Sequence, residues 1–293
     1  MYPKISVITP SFRGAALIES TIQSVLSQGY PSLEYIVIDG AGDDTADLLR
    51  RYDGELAYWC SEPDRGQYDA LNKGFARATG DILFWLNADD MLLPRSLFVV
   101  GEVFNKFPEI EWMSTLSPGV WDANGYLCKV NTIPGFSKAA FLDGFFLPGT
   151  RVRGCWVQQE STFFRRSLWK KAGSAIPDYP LAGDFALWCA FYRHADLVGI
   201  EYPLAGFRAI EGQRSEAVDQ YTRESQAALK ELRLEAEWGD TWQSRFLYSR
   251  FATLPKIRSQ VTHSIGYAGR KITNRNRKRI GADWALEAYR FLP

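Results

Sequence analysis

The chain has 293 residues, 46% hydrophobic and 14% aromatic, enough for one large α/β domain with an appendage or for two small domains. Its 34 basic and 34 acidic side chains cancel, which argues against a general nucleic-acid binder. Four scattered cysteines (Cys60, Cys128, Cys155, Cys189) form no CxxC pair and only two histidines are present, so a structural zinc site is not expected and a reducing compartment is.

Met1-Tyr2-Pro3-Lys4 runs straight into a strand pattern, with no signal peptide and no transmembrane-length apolar run. A cytoplasmic protein, soluble or peripheral on the inner face of the plasma membrane, is the expectation. Ile5–Thr9 reads as a buried strand. Leu17 to Gln28 has helical periodicity, with Leu17, Ile18, Ile22, Val25 and Leu26 on one face. Leu33 to Asp39 is a second strand stopped by Gly40, and Asp44 to Tyr52 a helix with an acidic start. Ala57–Ser61, Gln67–Ala78 and Asp81–Leu86 then read as strand, helix and strand. This alternation implies a parallel sheet with helices on both faces. After residue 100 the pattern changes. Asn124-Gly125 signals a hairpin turn, because that pair favours positive φ. Ser161–Phe164 is a short strand, Arg166–Ala172 and Gly183–Arg193 are helices, and Leu197–Phe207 holds one or two strands. Glu216–Glu237 is a charged helix, and the remainder is less regular.

Ligands of open parallel sheets bind beyond the carboxyl ends of the strands. Thr9-Pro10-Ser11, Asp39, Asp64-Arg65 and Asn87-Ala88-Asp89-Asp90 follow the first four strands, so polar groups collect on one rim. Adjacent carboxylates at the end of a buried strand repel and resist desolvation. A hard divalent cation or a cluster of donors would remove that penalty, and Mg²⁺ or Mn²⁺ commonly bridges carboxylates to phosphates. No GxGxxG or GxxxxGK[ST] occurs, so dinucleotide and P-loop sites are disfavoured.

Seven pieces in order carry a resemblance. They are Val7–Phe12 with Ser24–Gln28, Glu34–Gly40, Gly66–Gly74 with Ala78–Asp81, Trp85–Asp90, Thr162–Arg166, Gly183–Trp188 and Phe207-Arg208. Over residues 3 to 215 the chain resembles family 2 glycosyltransferases. The resemblance implies a GT-A fold. Its Rossmann-like, mostly parallel central sheet is flanked by helices and carries a small antiparallel element. Residues 1–215 would form this domain, with about 1–100 the nucleotide-sugar half and 101–215 the acceptor half. Residues 216–293 would add a helical, basic extension. The implied activity is inverting transfer from a nucleotide-diphosphate sugar, most readily a UDP-sugar. The acceptor would be a hydroxyl of a cell-envelope glycan or lipid-linked oligosaccharide.

By the same resemblance, Asp39 would bond the base, with Thr9, Pro10 and Ser11 along the nucleoside. Arg65 would lie near base or diphosphate, Asp69 and Asn72 near the nucleoside, and Asn87 and Ala88 beside the ribose. Asp89 matches the metal position, Asp90 lies next to it, and the cation would be Mn²⁺ or Mg²⁺ acting as a Lewis acid. Asp184 matches the base that takes the acceptor proton, with Glu160 in reserve. Plainer readings stand beside these. Asp39 caps a turn, Asp69 offsets a helix dipole, Asn72 braces a helix, Asp89 and Asp90 cap the next helix, and Asp184 is an N-cap. Trp156 and Trp188 stack on sugars or fill the core. The sequence departs from the family where its first motif acid is Asn87 and where Ile210 stands in place of an expected histidine. Arg208 or Arg214 would then neutralise phosphate directly.

Eight basic residues (Lys256, Arg258, Arg270, Lys271, Arg275, Arg277, Lys278, Arg279) lie between 256 and 279 without an acid. Flanking aromatics include Phe246, Tyr248, Phe251 and Trp284. Such a segment either lies on anionic lipid or pairs with the acidic remainder. Two other functions stay open: a nucleotidyltransferase that makes a nucleotide-sugar, and a non-catalytic nucleotide-sugar-binding module.

Overall fold

The computed structural model describes residues 2–149, 155–210, 212–213, 217–239, 241–242, 245, 266–276 and 282–293. Strands β1 (Ile5–Ser11), β2 (Leu33–Asp39), β3 (Tyr58–Ser61) and β4 (Ile82–Trp85) alternate with helices α1 (Ile18–Leu26), α2 (Thr45–Arg51) and α3 (Gln67–Arg77). Ile18, Ile22 and Val25 give α1 its buried face. Gly66, at φ 117°, turns the chain into α3. β1 pairs in parallel with both β2 and β4, and β2 with β3.

Next come β5 (Met91–Leu92), α4 (Ser96–Lys106), β6 (Trp112–Thr115), β7 (Gly119–Trp121), β8 (Leu127–Val130) and α5 (Lys138–Leu142). A 3-10 turn at Gln159–Ser161 leads into β9 (Phe163–Arg165), α6 (Arg166–Lys171), α7 (Gly183–Tyr192), β10 (Val198–Ile200) and β11 (Ala205–Arg208). α8 (Val218–Glu235), β12 (Tyr267–Asn274) and β13 (Trp284–Phe291) follow. The large sheet has nine strands in the order β13-β12-β10-β6-β9-β4-β1-β2-β3. It is mostly parallel, with β9 antiparallel to β4 and β6, and β13 antiparallel to β12. A second sheet, β5-β11-β7-β8, supplies the small element. Its hairpin turns at Asn124-Gly125 as expected, with Gly125 at φ 84° and the Asp122 carboxylate accepting the N–H groups of Asn124 and Tyr126, 2.9 Å each.

One core lies on each face of the large sheet. On one, Trp188 stacks between Trp85 and Trp112, with centroids 5.5 and 5.6 Å apart, so Trp188 is core. Leu229, Leu232, Tyr267 and Phe291 join that core, so residues after 215 share it rather than sit apart. Among the described residues of the expected helical extension, α8 is helical, whereas residues 267–274 and 284–291 are strands of the large sheet. Their charged text hid the pattern. Lys271 pairs with Glu201 and Arg275 with Glu287, while Tyr267, Ile272, Trp284 and Phe291 point inward. Two of the basic residues therefore serve ion pairs, and Trp284 is buried with its N–H on Glu102 at 2.9 Å. Lys256, Arg258, Arg277, Lys278, Arg279, Phe246, Tyr248, Phe251 and Arg214 lie outside the described residues. No helix among the described residues is long and apolar enough to cross a membrane.

Candidate active site

The parallel register sets Ser11 beside Asp39 and Asp39 beside Ser61, three strand ends in a row. Asp39 is fully buried. Its Oδ2 accepts the Ser61 hydroxyl at 2.6 Å and the Ala41 N–H at 3.2 Å. Among the described residues, its Oδ1 and the buried Ser11 Oγ meet no partner. A buried acceptor without a donor costs about 1–3 kcal/mol, so this rim is built for a ligand that supplies hydrogen-bonding groups. Gly40 stands where a Cβ would meet Asp64 at 2.8 Å and the Phe12 ring at 3.2 Å, which leaves a tight slot beside Asp39. Phe12 itself is largely exposed. Thr9 and Pro10 are buried one step deeper in β1, where Thr9 Oγ1 meets the Tyr35 hydroxyl at 3.0 Å.

Other predicted residues are turned to one another. Arg65, on the surface, reaches back to Asp69 at 2.8 Å, and Lys73 joins at 3.5 Å. That ion pair closes the start of α3. The Asn72 amide clasps the main chain of Ile176, accepting its N–H at 2.8 Å and donating to its carbonyl at 3.3 Å. Asn72 therefore ties α3 to the loop before α7 and contributes no open polar group to the rim. Asn87 donates to Asp90 and to Gln159, 3.0 Å each, and accepts from Gln67 at 2.7 Å. Ala88 offers its carbonyl to Thr21 Oγ1 at 2.8 Å.

The acidic pair divides. Asp90 is fully buried, and its two oxygens accept from the Arg208 N–H (2.8 Å) and Asn87. Burial first, then Glu160 and Asp89, holds its pKa well above the carboxylate range. With one hydrogen bond on each oxygen, Asp90 ties the end of β4 to β11. Asp89 is half-buried, and its Oδ2 accepts the Gln213 amide at 2.9 Å. Gln213 also donates to the Arg208 carbonyl at 2.8 Å and accepts from the Ile210 N–H at 3.2 Å, which fixes which end of the amide faces Asp89. Gln213 was not anticipated; it fills, with a donor, the neighbourhood where a histidine ligand was expected. The Arg208 guanidinium is buried on Ser20 at 2.7 Å, and its Nε has no partner among the described residues.

On the other side lies a cleft of about 270 Å³, bounded by Pro118–Val120 and Phe207 of the small sheet, by Trp156–Glu160 and by Asp184. Of the two candidate sugar platforms, Trp156 is here. Asp184 sits in the first turn of α7, a helix buried on nearly every side. Its Oδ1 accepts the Phe185 N–H at 2.8 Å. The enclosing protein pushes its pKa to about 6, with hydrogen bonds from Phe185, Tyr221 and Tyr68 opposing the rise. Glu160 is raised to about 7, by burial and by the charges of Asp184 and Asp89. Two carboxyls in one cleft, both displaced towards neutrality, are groups suited to taking a proton from a hydroxyl. Tyr68 and Tyr221 were missed. Tyr68 stands inside a quoted motif, but nothing in the charged text of α8 singles out Tyr221.

For a divalent cation, Asp89 is the half-buried carboxylate of the acidic stretch, with Oδ2 on Gln213. Among the described residues no group of three or more His, Cys, Asp or Glu side chains is arranged to hold a metal. Yet Asp89, Asp90, Glu160 and Asp184 are close enough for Asp89 and Asp184 to raise their neighbours. The donor set fits a cation held by one carboxylate together with a phosphate ligand.

Residues 6–120 match the sequence profile described as Glycosyl transferase family 2. An uncharacterized glycosyltransferase of Mycobacterium tuberculosis is 35% identical over 184 residues, 62% of this chain and 66% of the relative. About a third of that relative thus lies outside the match. Poly-beta-1,6-N-acetyl-D-glucosamine synthase of Staphylococcus epidermidis is 30% identical over 132 residues, 44% of this chain and 32% of that protein. Among solved structures, S. aureus TarS 1–349 in complex with UDP-GlcNAc superposes with a TM-score of 0.61 at 15% identity, covering 89% of this chain and 79% of that one. That likeness shows a shared fold.

Proposed function

The chain belongs to glycosyltransferase family 2, and from that premise we propose that it is an inverting glycosyltransferase. It would move a sugar from a UDP-linked donor to a hydroxyl of a growing cell-envelope glycan or its lipid-linked precursor. The observation that carries the reading is Asp184, a carboxyl raised to about 6 on the wall of a sugar-sized cleft. Near neutral pH it is ionised yet basic enough to accept a proton, the balance a general base needs. The acceptor oxygen attacks C1 of the donor as Asp184 takes its proton, the C1–O bond to the diphosphate breaks, and the configuration at C1 inverts. Trp156 offers the acceptor sugar an apolar face. Asp39 Oδ1 and Ser11 Oγ receive the donor's nucleoside; an imide N–H such as that of uracil meets the need of Asp39. Asp89 would hold Mn²⁺ or Mg²⁺, which supplies neutralisation of the leaving diphosphate. The named activity of the staphylococcal synthase, which builds a polysaccharide, supports a glycan acceptor.

The test is a panel of UDP-, GDP- and CDP-sugars, with and without Mn²⁺, read first as thermal stabilisation and then as nucleotide release with glycan acceptors. UDP-sugars should raise Tm and release UDP. Pyrophosphate released from UTP and a sugar phosphate would make the chain a nucleotidyltransferase. Binding without turnover under any acceptor would leave a non-catalytic module.

A further inference from the structure

We infer that Tyr221, on α8, is a positioning residue for Asp184: its hydroxyl donates to the carboxylate and holds it ionised against the cleft wall. The inference rests on the reading of Asp184 as base. Tyr221 Oη lies 3.1 Å from each oxygen of Asp184. Tyr68 Oη is also near, at 3.5 Å from Oδ1. Its nearer acceptor, however, is the Leu181 carbonyl at 2.6 Å, and it accepts the Asp184 N–H at 3.3 Å, so its bond to the carboxylate is the weaker one. Tyr221 has Asp184 as its sole hydrogen-bond partner among the described residues, so its proton goes to the carboxylate. A donor placed equally over both oxygens also resists rotation of the carboxylate.

The helix that carries Tyr221 is locked to the base. Three residues on, and so on the same face of α8, Glu224 accepts the N–H groups of Leu181 and Ala182, 2.8 Å each. Those residues lead into α7, of which Ala182 is the cap. α8 thus holds the start of α7 with one side chain and its carboxylate with another. The groups facing Asp184 are Glu160 from the 3-10 turn, Tyr68 from α3, and Tyr221 and Glu224 from α8. Tyr221 is the neighbour from another element that most favours ionisation of Asp184. An ionised carboxylate accepts a stronger hydrogen bond than the neutral acid, so the Tyr221 proton favours the form that can act as base. α8 lies wholly beyond the 6–120 segment that matches the family profile, so control of the base comes from outside it.

Two measurements test this. The full chain labelled with [¹³Cζ]tyrosine needs no substrate, and Tyr221→Phe assigns the resonance. The Tyr221 signal should titrate with a midpoint near pH 6 and lose that titration in Asp184→Asn; a flat signal between pH 5 and 8 overturns the contact. In the nucleotide-release assay, Tyr221→Phe should move the acid limb of kcat/KM upward by about one pH unit. Activity would fall about fivefold at pH 6 and largely recover by pH 8.5, with donor KM unchanged. If Tyr221→Phe does not fold, 3-fluorotyrosine at 221, a stronger donor, should move the limb the other way. An unmoved limb, with Asp184→Asn inactive, rejects Tyr221 alone. Wild-type turnover in Asp184→Asn rejects the base itself.

Discussion

Asp39→Asn separates binding from stability. In the wild type, Oδ2 is held by Ser61 and Ala41, so only Oδ1 is open to a ligand. An asparagine would keep its carbonyl on those two donors and turn its NH₂ to the open side. Against uracil, that sets a donor against the N3–H donor. The charge-assisted bond, worth about 1.5–3 kcal/mol, is lost and an unmet donor is added. UDP affinity should fall roughly 10²-fold, since 1.4 kcal/mol is about tenfold. Cytosine N3 is an acceptor, so CDP should lose much less and overtake UDP. The folded protein loses a buried, half-satisfied charge, so Tm without ligand should stay level or rise by about 1–3 °C. Titration calorimetry with UDP and CDP, beside thermal melts, reads all three effects. Unchanged UDP affinity, or equal losses for both nucleotides, would refute the base-reading role of Asp39.

Asp184→Asn should abolish transfer while leaving UDP binding within about twofold. Wild-type activity should fall below about pH 6, as Asp184 takes up its proton. The folded pKa of Asp184 lies above its unfolded value. Its contribution is thus fully present below the unfolded pKa near 3.8 and is lost as pH rises through about 6. Asp184→Asn should therefore melt above the wild type at pH 8, with a gap that closes towards pH 4. Two pH units set an upper bound of about 3 kcal/mol, which solvent at the open cleft reduces; a wild-type-like melt at pH 8 would count against the strained base. Gly183→Ala would put a Cβ 2.7–2.9 Å from the Tyr68 ring. It should cost about 1–3 kcal/mol and lower kcat with UDP affinity kept, and a neutral effect on kcat would show the ring and the base to be uncoupled. Asp89→Ala should remove any Mn²⁺ dependence of UDP affinity, whereas an unaltered Mn²⁺ titration would clear Asp89 of that role.

The first half of the fold was legible because β1 to β4 and their helices alternate strongly, with Gly40 and Gly80 as stops. β6 was not, since Trp112–Thr115 is four residues buried on both faces and has no alternation to read. β12 and β13 were hidden by charges whose partners, such as Glu201, stand far off in sequence. In the site, Ser11 and Asp39 were legible because parallel register alone aligns strand ends. Asn72, Asn87 and Asp90 were read as ligand contacts because their partners were invisible. Ile176 lies 104 residues from Asn72, Gln159 lies 72 from Asn87, and Arg208 lies 118 from Asp90. A polar side chain in a motif carries no sign of whether the protein itself satisfies it. The two useful signs, an unmet oxygen at Asp39 and a crowded carboxylate at Asp184, exist only after folding.

Those signs have opposite physics and separate the rim at the strand ends from the wall of the cleft. The rim at Asp39 and Ser11 lacks donors, so a ligand stabilises it by adding hydrogen bonds. The wall at Glu160 and Asp184 has an excess of negative charge and is relieved by a proton, the particle the reaction delivers there. Substitutions at both should preserve or raise stability while damaging function, which is expected where a site stores strain. They should differ towards ligand. UDP should still raise the melting point of Asp184→Asn by about the wild-type increment, because the donor's nucleoside meets Asp39 and not the base. It should barely raise that of Asp39→Asn. If UDP stabilises both variants equally, the nucleoside does not lie on Asp39, and the division of the site into a donor-poor rim and an acid-rich wall loses its functional meaning.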